Sequence, residues 1–389
     1  MKNNTRIAED IYRAIQQFHP AYLTDQNRID DIFFSLDFQD FSSDIDLLSR
    51  FTSQIGDGHT NIEIPFLSSS KCVNVMCKWC KNRIYITAPS VYNLQKGDIV
   101  VQIEGRDVID YYNYLSSRIP HENNYLVNSR SCNYPYENYN LFSDMNLTSF
   151  LHKKVNALTL TVIRNGKEQL IYEPITYYNG KLKFVSEEMQ NNFYFVSDQL
   201  GVLQLYSCTC DRENTDLLRD FFMAVKKRNI RKIVLDLSRN MGGNSDIITE
   251  FLRYLNIEKY NGYHVLARDG EKLTCLQNRK HYIYNHQYTW SGFKGELFCN
   301  IGNDTFSSGR MFATLLKDNQ IATLCGEPSG GRPSSYGAPQ RFVLKGSNIR
   351  YRVSTRFFLR PDSTKDAESF LTPELVVPDS DMTALIKEL

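Results

Sequence analysis

The sequence predicts an α/β fold, because apolar strand segments and amphipathic helix segments alternate through its second half. The strand segments GVLQLYSC and KIVLDLS enclose the helical segment TDLLRDFFMAVKKR. After a further helix, DIITEFLRYL, come the strand ELFCNIG, the helix RMFATLLKDN and the strand IATLCGE. This order is typical of parallel strands joined by right-handed crossovers. Residues 341–358 predict a terminal hairpin that turns at Lys345 and Gly346.

The composition is that of a chain with large cores and no strongly charged face. Its 389 residues indicate two or three domains, and the 42% of hydrophobic residues are enough to fill their cores. The formal net charge is +1, from 45 basic and 44 acidic residues, and no block of like charge occurs. These numbers give no indication of a nucleic-acid partner or of an anionic membrane surface.

The cellular location is predicted from hydropathy and cysteine content. No stretch of about 18 apolar residues occurs, so no membrane span is expected. The first residues lack an apolar signal core, and nine cysteines are an odd number for a closed set of disulfides. We therefore expect a cytoplasmic protein with free thiols, and an exported form whose signal has been removed stays open.

Residues 1–50 predict an N-terminal helical cap. Apolar residues recur at helical spacing over residues 7–18, and one or two further helices are expected over residues 28–50. Residues 51–69 follow with the segment DGHT, which opens into an alternating strand from Thr60 to Pro65.

Residues 70–180 predict a small β domain with an insertion. A turn at Gly97 precedes the strand Ile99–Ile103, and two later strands are joined by the hairpin turn Asn165-Gly166. Residues 120–150 are rich in Asn, Tyr and Ser and are expected to form a long loop, although such loops are uncommon in compact domains.

The tightest cysteine cluster consists of Cys72, Cys77 and Cys80. The Cys-x-x-Cys spacing of Cys77 and Cys80 suits zinc, but no second pair of ligands is evident nearby. The strand-like pattern around these cysteines favours a structural role. We expect neither a metal nor another cofactor.

Acyl transfer requires a nucleophile, a base and donors for an oxyanion, and junctions in the sequence offer each of them. Ser307 and Ser308 lie between an apolar strand and an amphipathic helix, whose first N–H groups have no partner within the helix. Gly242 and Gly243 follow a buried strand, where a glycine N–H can approach a ligand closely. A structural alternative exists for both, since serine is a preferred helix cap and glycines suit a tight strand-to-helix turn.

His59 is the best placed of the seven histidines for a base, because it lies in the glycine-containing turn DGHT before a strand. His19 lies at a helix end, and the remaining five lie in a strand or in polar, loop-rich segments.

Six motifs resemble, in this order, those of the C-terminal-processing or tail-specific serine peptidases: DGHT, KGDIVVQIEGRDV, IVLDLSRNMGGN, NDTFSSGRMFATLL, CGEPSGGRP and TPELVV. The resemblance covers roughly residues 50–378. It implies a crotonase/ClpP-like α/β peptidase core over residues 190–389, to which residues 51–69 contribute the first strand region. It also implies that residues 70–180 are a PDZ-like domain inserted before this core.

The same resemblance implies that Ser307 is the nucleophile and that the N–H groups of Ser308 and Gly242 are the oxyanion donors. Arg310 stands where the family has an acidic residue, which leaves Ser308 open as the alternative nucleophile. Gly243 and Arg332 are assigned to substrate binding.

Arg332 occupies the position at which the family's classical members carry a lysine base. A guanidinium group stays protonated in proteins, so Arg332 cannot act as a general base. The branch that includes the tricorn protease core uses a histidine from the first motif, and His59 matches it. Imidazole titrates near neutral pH, which suits this role.

A third group is expected to orient His59. The tricorn-like branch has a serine directly before its histidine, where this chain has Gly58. Glu368 in the segment DAESFLTPEL is assigned to the orienting role, and Asp366 and Asp57 remain alternatives.

The predicted function is hydrolysis of peptide bonds in peptides or unfolded proteins through an acyl-enzyme, in its most specific form near substrate C-termini. The main alternative is an inactive relative that binds peptides or apolar ligands, because the resemblance extends to retinoid-binding proteins of the eye. An acyl-CoA enzyme of the wider crotonase fold is a third hypothesis, which the PDZ-like insertion and the serine junction disfavour. The oligomeric state is not predicted.

Overall fold

A computed structural model describes residues 2–36, 43–180, 189–345, 347 and 349–389. The chain divides into two compact units. The amino-terminal unit comprises Met1–Glu187 and Ala338–Thr355, and the carboxy-terminal unit comprises Glu188–Gly337 and Arg356–Leu389. The predicted finer division into a cap, a first strand region, a PDZ-like domain and a core stays a prediction.

The amino-terminal unit begins with helices α1 (Lys2–Phe18), α2 (Ala21–Thr24), α3 (Gln26–Phe34) and α4 (Asp44–Gln54). Ile11 and Ile15, one turn apart, are buried on the inner face of α1. The Ser43 side chain accepts a hydrogen bond from the Asp46 N–H and so caps α4. The helices predicted over residues 7–18 and 28–50 are confirmed within the described residues, and residues 37–42 lie outside them.

The following elements continue this unit: β1 (Asn61–Glu63), β2 (Lys71–Cys72), β3 (Met76–Cys80), β4 (Arg83–Ala88), β5 (Ile99–Ile103), β6 (Arg106–Asp107), α5 (Val108–Ser116), α6 (Asn124–Asn133), α7 (Asp144–Leu151), β7 (Ala157–Arg164), β8 (Lys167–Pro174) and β9 (Thr176–Tyr177). An antiparallel sheet has the order β3-β4-β5-β7-β8, and β6 pairs with β5. Its core contains Trp79, Tyr111 and Leu160. The predicted hairpin turn is confirmed, since φ is 53° at Asn165 and 73° at Gly166, as a two-residue type I′ turn requires.

Residues 120–150 do not form the long loop that was expected, because α6 and α7 occupy most of this segment. Asn and Ser favour caps and turns over helix interiors, so their abundance hides the helical signal. The Asn123 side chain accepts from the Leu126 N–H, and the Ser143 side chain accepts from the Asn146 N–H. These caps and the burial of apolar side chains stabilise two helices that the local composition disfavours.

Cys77 lies on the inner side of β3, and its Sγ is 3.8 Å from the Sγ of Cys132 in α6. The contact with Cys132 and burial raise the pKa of the Cys77 thiol well above its usual value. Metal binding requires the thiolate, so this environment favours the structural role that the sequence indicates.

The carboxy-terminal unit contains β10 (Asn192–Phe195), β11 (Leu200–Gln204), α8 (Arg212–Arg228), β12 (Lys232–Asp236), α9 (Asp246–Leu252), β13 (Lys259–Asn261), β14 (His264–Asp269), β15 (Lys272–Gln277), β16 (Tyr282–Tyr284), β17 (Glu296–Ile301), α10 (Ser308–Asp318) and β18 (Thr323–Gly326). Later elements of the chain are β19 (Ser335–Val343), β20 (Arg350–Leu359), β21 (Leu375–Val376) and α11 (Met382–Glu388). The alternation predicted from residue 194 onward is confirmed.

The main sheet of this unit has the order β10-β11-β12-β17-β18-β21. β10 is antiparallel to β11, and the other neighbours are parallel. Phe222, Phe251 and Phe312, from α8, α9 and α10, belong to one apolar core with the inner residues of the sheet. Because the parallel strands end at the same edge, the loops after β11, β12, β17 and β18 gather there.

The terminal hairpin is confirmed, because β19 pairs with β20. The predicted turn residue Gly346 lies outside the described residues. In the amino-terminal unit, Arg350–Arg352 of β20 pairs antiparallel with β1. Among the described residues, no helix is both long and apolar enough to span a lipid bilayer.

Candidate active site

Ser307 precedes the first residue of α10, and its backbone is unusual. Its φ is 51° and its ψ is −126°, a region that residues with a side chain rarely adopt. Holding a residue there costs of order 1–3 kcal/mol. The Ser307 side chain makes no capping hydrogen bond to α10. A strained serine between a strand and a helix is the arrangement by which hydrolases present a nucleophile, and it differs from that of an ordinary helix cap.

Ser308, the neighbouring candidate, is held differently. It is buried, and its Oγ donates a hydrogen bond of 2.8 Å to the Gly243 carbonyl oxygen. Its N–H is the first of α10 and has no acceptor within the helix, as is usual for a first turn. The Ser308 hydroxyl therefore fastens the glycine turn, while its N–H suits the oxyanion role that the family resemblance implies.

Gly242 and Gly243 form a turn that no residue with a Cβ could replace. Their φ angles are 104° and 138°. A Cβ on Gly242 would lie 2.5 Å from the Ser307 Cβ, and one on Gly243 would lie 2.1 Å from the Cys208 carbonyl oxygen. The glycine turn and Ser307 are therefore neighbours in the structure, an arrangement that a nucleophile and its oxyanion donors require.

Asn240 stabilises this turn through its side-chain amide, a role that was not predicted from the sequence. It is fully buried, and its Nδ2 donates to the Leu205 carbonyl oxygen at 2.7 Å. Its Oδ1 accepts from the Gly242 N–H at 2.8 Å. The predicted oxyanion donor is thus already engaged, whereas no hydrogen bond of the Gly243 N–H occurs among the described residues.

Arg332 lies in the loop after β18 and is half-buried. Its Nε is buried and has no hydrogen-bond partner among the residues that the structure describes. A buried guanidinium N–H of this kind can donate a hydrogen bond to a carboxylate or a carbonyl oxygen of a substrate.

Glu368 and Asp366 both pair with arginines. The Glu368 Oε2 accepts a hydrogen bond from Arg360 Nη1 at 2.6 Å. Arg360 also forms an ion pair with Asp318, and both of these side chains are fully buried. Asp366 receives two hydrogen bonds from Arg279, of 2.8 and 2.7 Å. Although burial opposes it, Arg279 holds the pKa of Asp366 below its usual value. In these contacts both carboxylates brace buried or half-buried arginines.

His59, in the amino-terminal unit, lies next to Asp57. The Asp57 Oδ1 accepts a hydrogen bond from the His59 N–H at 2.9 Å and lies 3.8 Å from the His59 Nδ1. The Asp57 side chain has no exposed area. Of the three carboxylates considered for orienting His59, Asp57 is the one in contact with it inside the same unit.

His19 is the partner that the sequence analysis missed. It follows α1, is fully buried, and its Nε2 lies 3.1 Å from the Asp57 Oδ2. A histidine at a helix end carries no sequence signal for such a contact, because its partner is 38 positions away.

The pKa of Asp57 is held well below its usual range. Burial by itself would raise it, but the hydrogen bond with His19 and the nearby His59 outweigh burial. Asp57 is therefore a buried, ionised carboxylate between two imidazoles.

Two further groups complete the surroundings of His59. The Gly58 N–H donates to Glu122 Oε1 at 3.1 Å, and Arg130 Nη2 donates to the Gly58 carbonyl oxygen at 2.6 Å. The side chains of Asp57, His59 and Glu122 bring one nitrogen or oxygen atom each within 4.8 Å of one another. The turn that the sequence marks only as DGHT is thus an acid–base cluster.

Comparison with known proteins identifies the class of protein. Residues 199–377 match the model of peptidase family S41, a segment that contains Gly242, Ser307, Arg332 and Glu368. This match covers a little under half of the chain and supports a serine-type peptidase, which agrees with the resemblance that the order of the motifs indicates.

Solved structures share the mixed α/β fold at low sequence identity. One of them is the structure of mature CPAF complexed with lactacystin, which is 13% identical to this chain and has a TM-score of 0.73. The match covers 96% of this chain and 93% of the CPAF chain. Another is the photosystem II D1 C-terminal processing protease, which is 12% identical to this chain and has a TM-score of 0.51. The match covers 100% of this chain and 97% of the protease chain. No curated protein matches the sequence significantly. At these identities the likeness establishes the fold.

The strain at Ser307 predicts a stabilising substitution. Ser307→Gly should raise the free energy of unfolding by about 1 kcal/mol, since glycine adopts positive φ without the cost that a Cβ imposes. Ser308→Gly, the matched control one residue later, should lower it by about 1 kcal/mol, because it removes a buried hydrogen bond. Urea unfolding of both variants provides the measurement. Equal destabilisation by both would show that Ser307 stores no strain.

The buried carboxylate predicts a pH-dependent stability. Asp57→Asn should lower the free energy of unfolding at pH 7 by about 1–3 kcal/mol. Because the pKa of Asp57 is depressed in the folded state, its stabilisation is present above the unfolded value of about 3.9 and is lost as the pH falls through the folded value. The difference between wild type and Asp57→Asn in urea unfolding should therefore shrink below about pH 4. The exposed control Asp198→Asn should show little effect, and a difference that stays constant from pH 7 to pH 2 would contradict the assignment.

Proposed function

We propose that this peptidase cleaves peptide bonds through an acyl-enzyme, with Ser307 as the nucleophile and His59 as the general base. The observation that carries the proposal is the strained, non-capping Ser307 beside a turn of two glycines. A backbone strained at this junction is retained because it presents the hydroxyl group, and helix capping would not require it.

The proposed reaction proceeds in two halves. Ser307 Oγ attacks the carbonyl carbon of the scissile peptide bond while its proton passes to the imidazole of His59. The tetrahedral intermediate collapses, and the leaving amine takes the proton from His59. A water molecule then attacks the ester, again with His59 as base, and Ser307 leaves with the proton as the acid product is released.

The negative charge of the tetrahedral intermediate needs two donors. We assign the Ser308 N–H as one of them and the Gly242 N–H as the other. Gly242 must exchange its bond to Asn240 Oδ1 for the oxyanion, or the adjacent Gly243 N–H takes its place. Gly243 otherwise serves in substrate binding, for which its lack of a Cβ allows a close approach.

Substrate selection is assigned to Arg332. Its buried Nε has no hydrogen-bond partner among the described residues, and a planar guanidinium suits the carboxylate at the end of a polypeptide. This supports cleavage near substrate C-termini, with peptides or unfolded proteins as substrates. Glu368 stays the predicted orienting carboxylate, and the described contacts favour Asp57 over it.

The finer architecture is part of the same proposal. The six-stranded sheet with its connecting helices supports a crotonase/ClpP-like core over residues 190–389. The antiparallel sheet within residues 70–180 supports a PDZ-like domain, whose role would be to hold the extended substrate. The helices before residue 51 fit the predicted cap, and the cytoplasmic location stays a prediction.

Covalent labelling tests the nucleophile. A fluorophosphonate probe should label the wild-type protein and Ser308→Ala, and it should fail to label Ser307→Ala, whose peptide hydrolysis should fall to background. Peptide mapping by mass spectrometry locates the adduct. Labelling of Ser307→Ala but not of Ser308→Ala would move the nucleophile by one residue, and no labelling of the wild type would favour an inactive binding protein.

The pH profile tests the base. The acid limb of kcat/KM for the wild type should fall between about pH 5 and pH 8, where imidazoles titrate. His59→Ala should lose most activity, because no other group replaces the proton acceptor. Arg332→Ala should chiefly raise KM, since a guanidinium binds substrate and cannot take a proton. Arg332→Lys introduced into His59→Ala should not restore activity, and an active His59→Ala variant with an unchanged acid limb would overturn the assignment.

A further inference from the structure

We propose that His19 is a positioning residue for catalysis: it holds the carboxylate of Asp57, which in turn orients His59. The three side chains form a buried chain, His19–Asp57–His59, inside the amino-terminal unit. The inference rests on the proposed role of His59 as the base.

The carboxylate of Asp57 is shared between the two histidines. One oxygen lies 3.1 Å from His19 Nε2. The other accepts the His59 backbone N–H at 2.9 Å and lies 3.8 Å from the His59 Nδ1. The hydrogen bond to the backbone fixes the position of His59, and at 3.8 Å, beyond hydrogen-bond distance, the carboxylate acts on Nδ1 through its charge and stabilises the imidazolium that forms when the ring accepts a proton. The Nε2 atom is then the one assigned to proton transfer.

The protonation of His19 is set by its other ring nitrogen. The Ala21 N–H donates to the His19 Nδ1 at 3.0 Å, so Nδ1 is an acceptor and the ring proton lies on Nε2. Nε2 therefore donates to Asp57. Because both side chains are fully buried, this hydrogen bond has no competition from water and can hold the carboxylate in one orientation.

Burying an ionised carboxylate is costly unless it is compensated, so a chain of this kind needs a reason. A neutral residue would fill the same space at lower cost if the role were only packing. The negative charge is useful because it lies beside the one histidine that the proposed mechanism protonates. The depressed pKa of Asp57 agrees with a carboxylate that stays ionised beside His59.

Other charged and titratable groups face the chain from the elements packed around it. Glu122 binds the Gly58 N–H, and Arg130 of α6 binds the Gly58 carbonyl oxygen. His121 lies before Glu122, and its Nδ1 is bonded to the Ile119 carbonyl oxygen. Ser354 of β20 faces Asp57. Arg28 of α3 binds the backbone just before Asp57, at Ile55. Of these groups, Asp57 is the anion in contact with the His59 Nδ1, so its loss should dominate the titration of the base.

The test uses two amide substitutions at His19 that differ in which ring nitrogen they replace. His19→Gln places an amide group near the position of Nε2 and can still donate to Asp57. His19→Asn places it near Nδ1, where it meets the Ala21 N–H but does not reach Asp57. His19→Gln should keep kcat within about threefold of wild type, and His19→Asn should lower kcat about tenfold to a hundredfold with KM little changed.

Asp57→Asn provides the second arm. Losing the anion beside the imidazolium should move the acid limb of kcat/KM down by about one pH unit or more and lower kcat by about 10²–10⁴. Adding His19→Asn to Asp57→Asn should cause little further loss, because both substitutions break the same chain. The control His121→Asn alters a neighbouring histidine outside the chain and should leave the acid limb in place.

The outcomes separate the inference from the function on which it rests. Equal kcat for His19→Gln and His19→Asn, or an acid limb unchanged in Asp57→Asn, would overturn the positioning chain while inactivity of His59→Ala upholds the base. Activity of His59→Ala with its acid limb intact would instead overturn the proposed function. If Asp57→Asn fails to fold, as thermal unfolding would show, the comparison of the two His19 variants decides the matter alone.

Discussion

The lack of side chains at two consecutive glycines is the constraint on which the active-site turn depends. A Cβ on Gly242 would collide with the Cβ of Ser307, and one on Gly243 would collide with the backbone at Cys208. Only because this space is empty can the serine stand in its strained conformation next to a turn of backbone N–H groups. Asn240 then makes the turn rigid, because one buried amide group satisfies both the loop after β11 and the Gly242 N–H.

Carboxylates in close ion pairs recur in the chain, and their partners decide what each of them can do. Asp318 lies against Arg360, which also binds Glu368, and Asp366 lies against Arg279. An arginine keeps its charge at any physiological pH, so such pairs are permanent braces. Asp57 is held by a histidine instead, and its other neighbour is the proposed base. A carboxylate between two imidazoles is coupled to groups whose protonation can change, which is what a catalytic site needs.

The fold is shared with structures that are 12–13% identical, and likeness at such identity shows the fold and not the chemistry within it. By the resemblance of its motif, Arg332 stands where classical members of the family have a lysine base, and because a guanidinium group cannot take up a proton, the proposed base comes from elsewhere in the chain. Structural likeness does not reveal the replacement of one catalytic residue by another, because one fold supports many arrangements of side chains. The chemistry of Arg332 and the environment of His59 favour a histidine base in this chain.

Much of the molecule could be predicted from the sequence alone. The alternation of strands and helices follows from hydrophobic periodicity, and the hairpin turn at Asn165-Gly166 follows from the positive φ that these two residue types tolerate. The order of the motifs predicts the family resemblance and the site candidates Ser307, Gly242 and His59. The helices within residues 120–150 could not be predicted, because capping and burial stabilise them against a composition that favours turns.

Only the tertiary structure decided which of two adjacent serines has the strained backbone. Ser307 and Ser308 are equally plausible nucleophiles from the sequence, but they differ in backbone angles and burial. It also decided which carboxylate lies beside His59, and that His19 lies behind that carboxylate. These contacts join residues far apart in the chain, and local periodicity carries no information about such distances. They exist because packing removes water from the end of α1 and the DGHT turn together, and a carboxylate left there must find a partner.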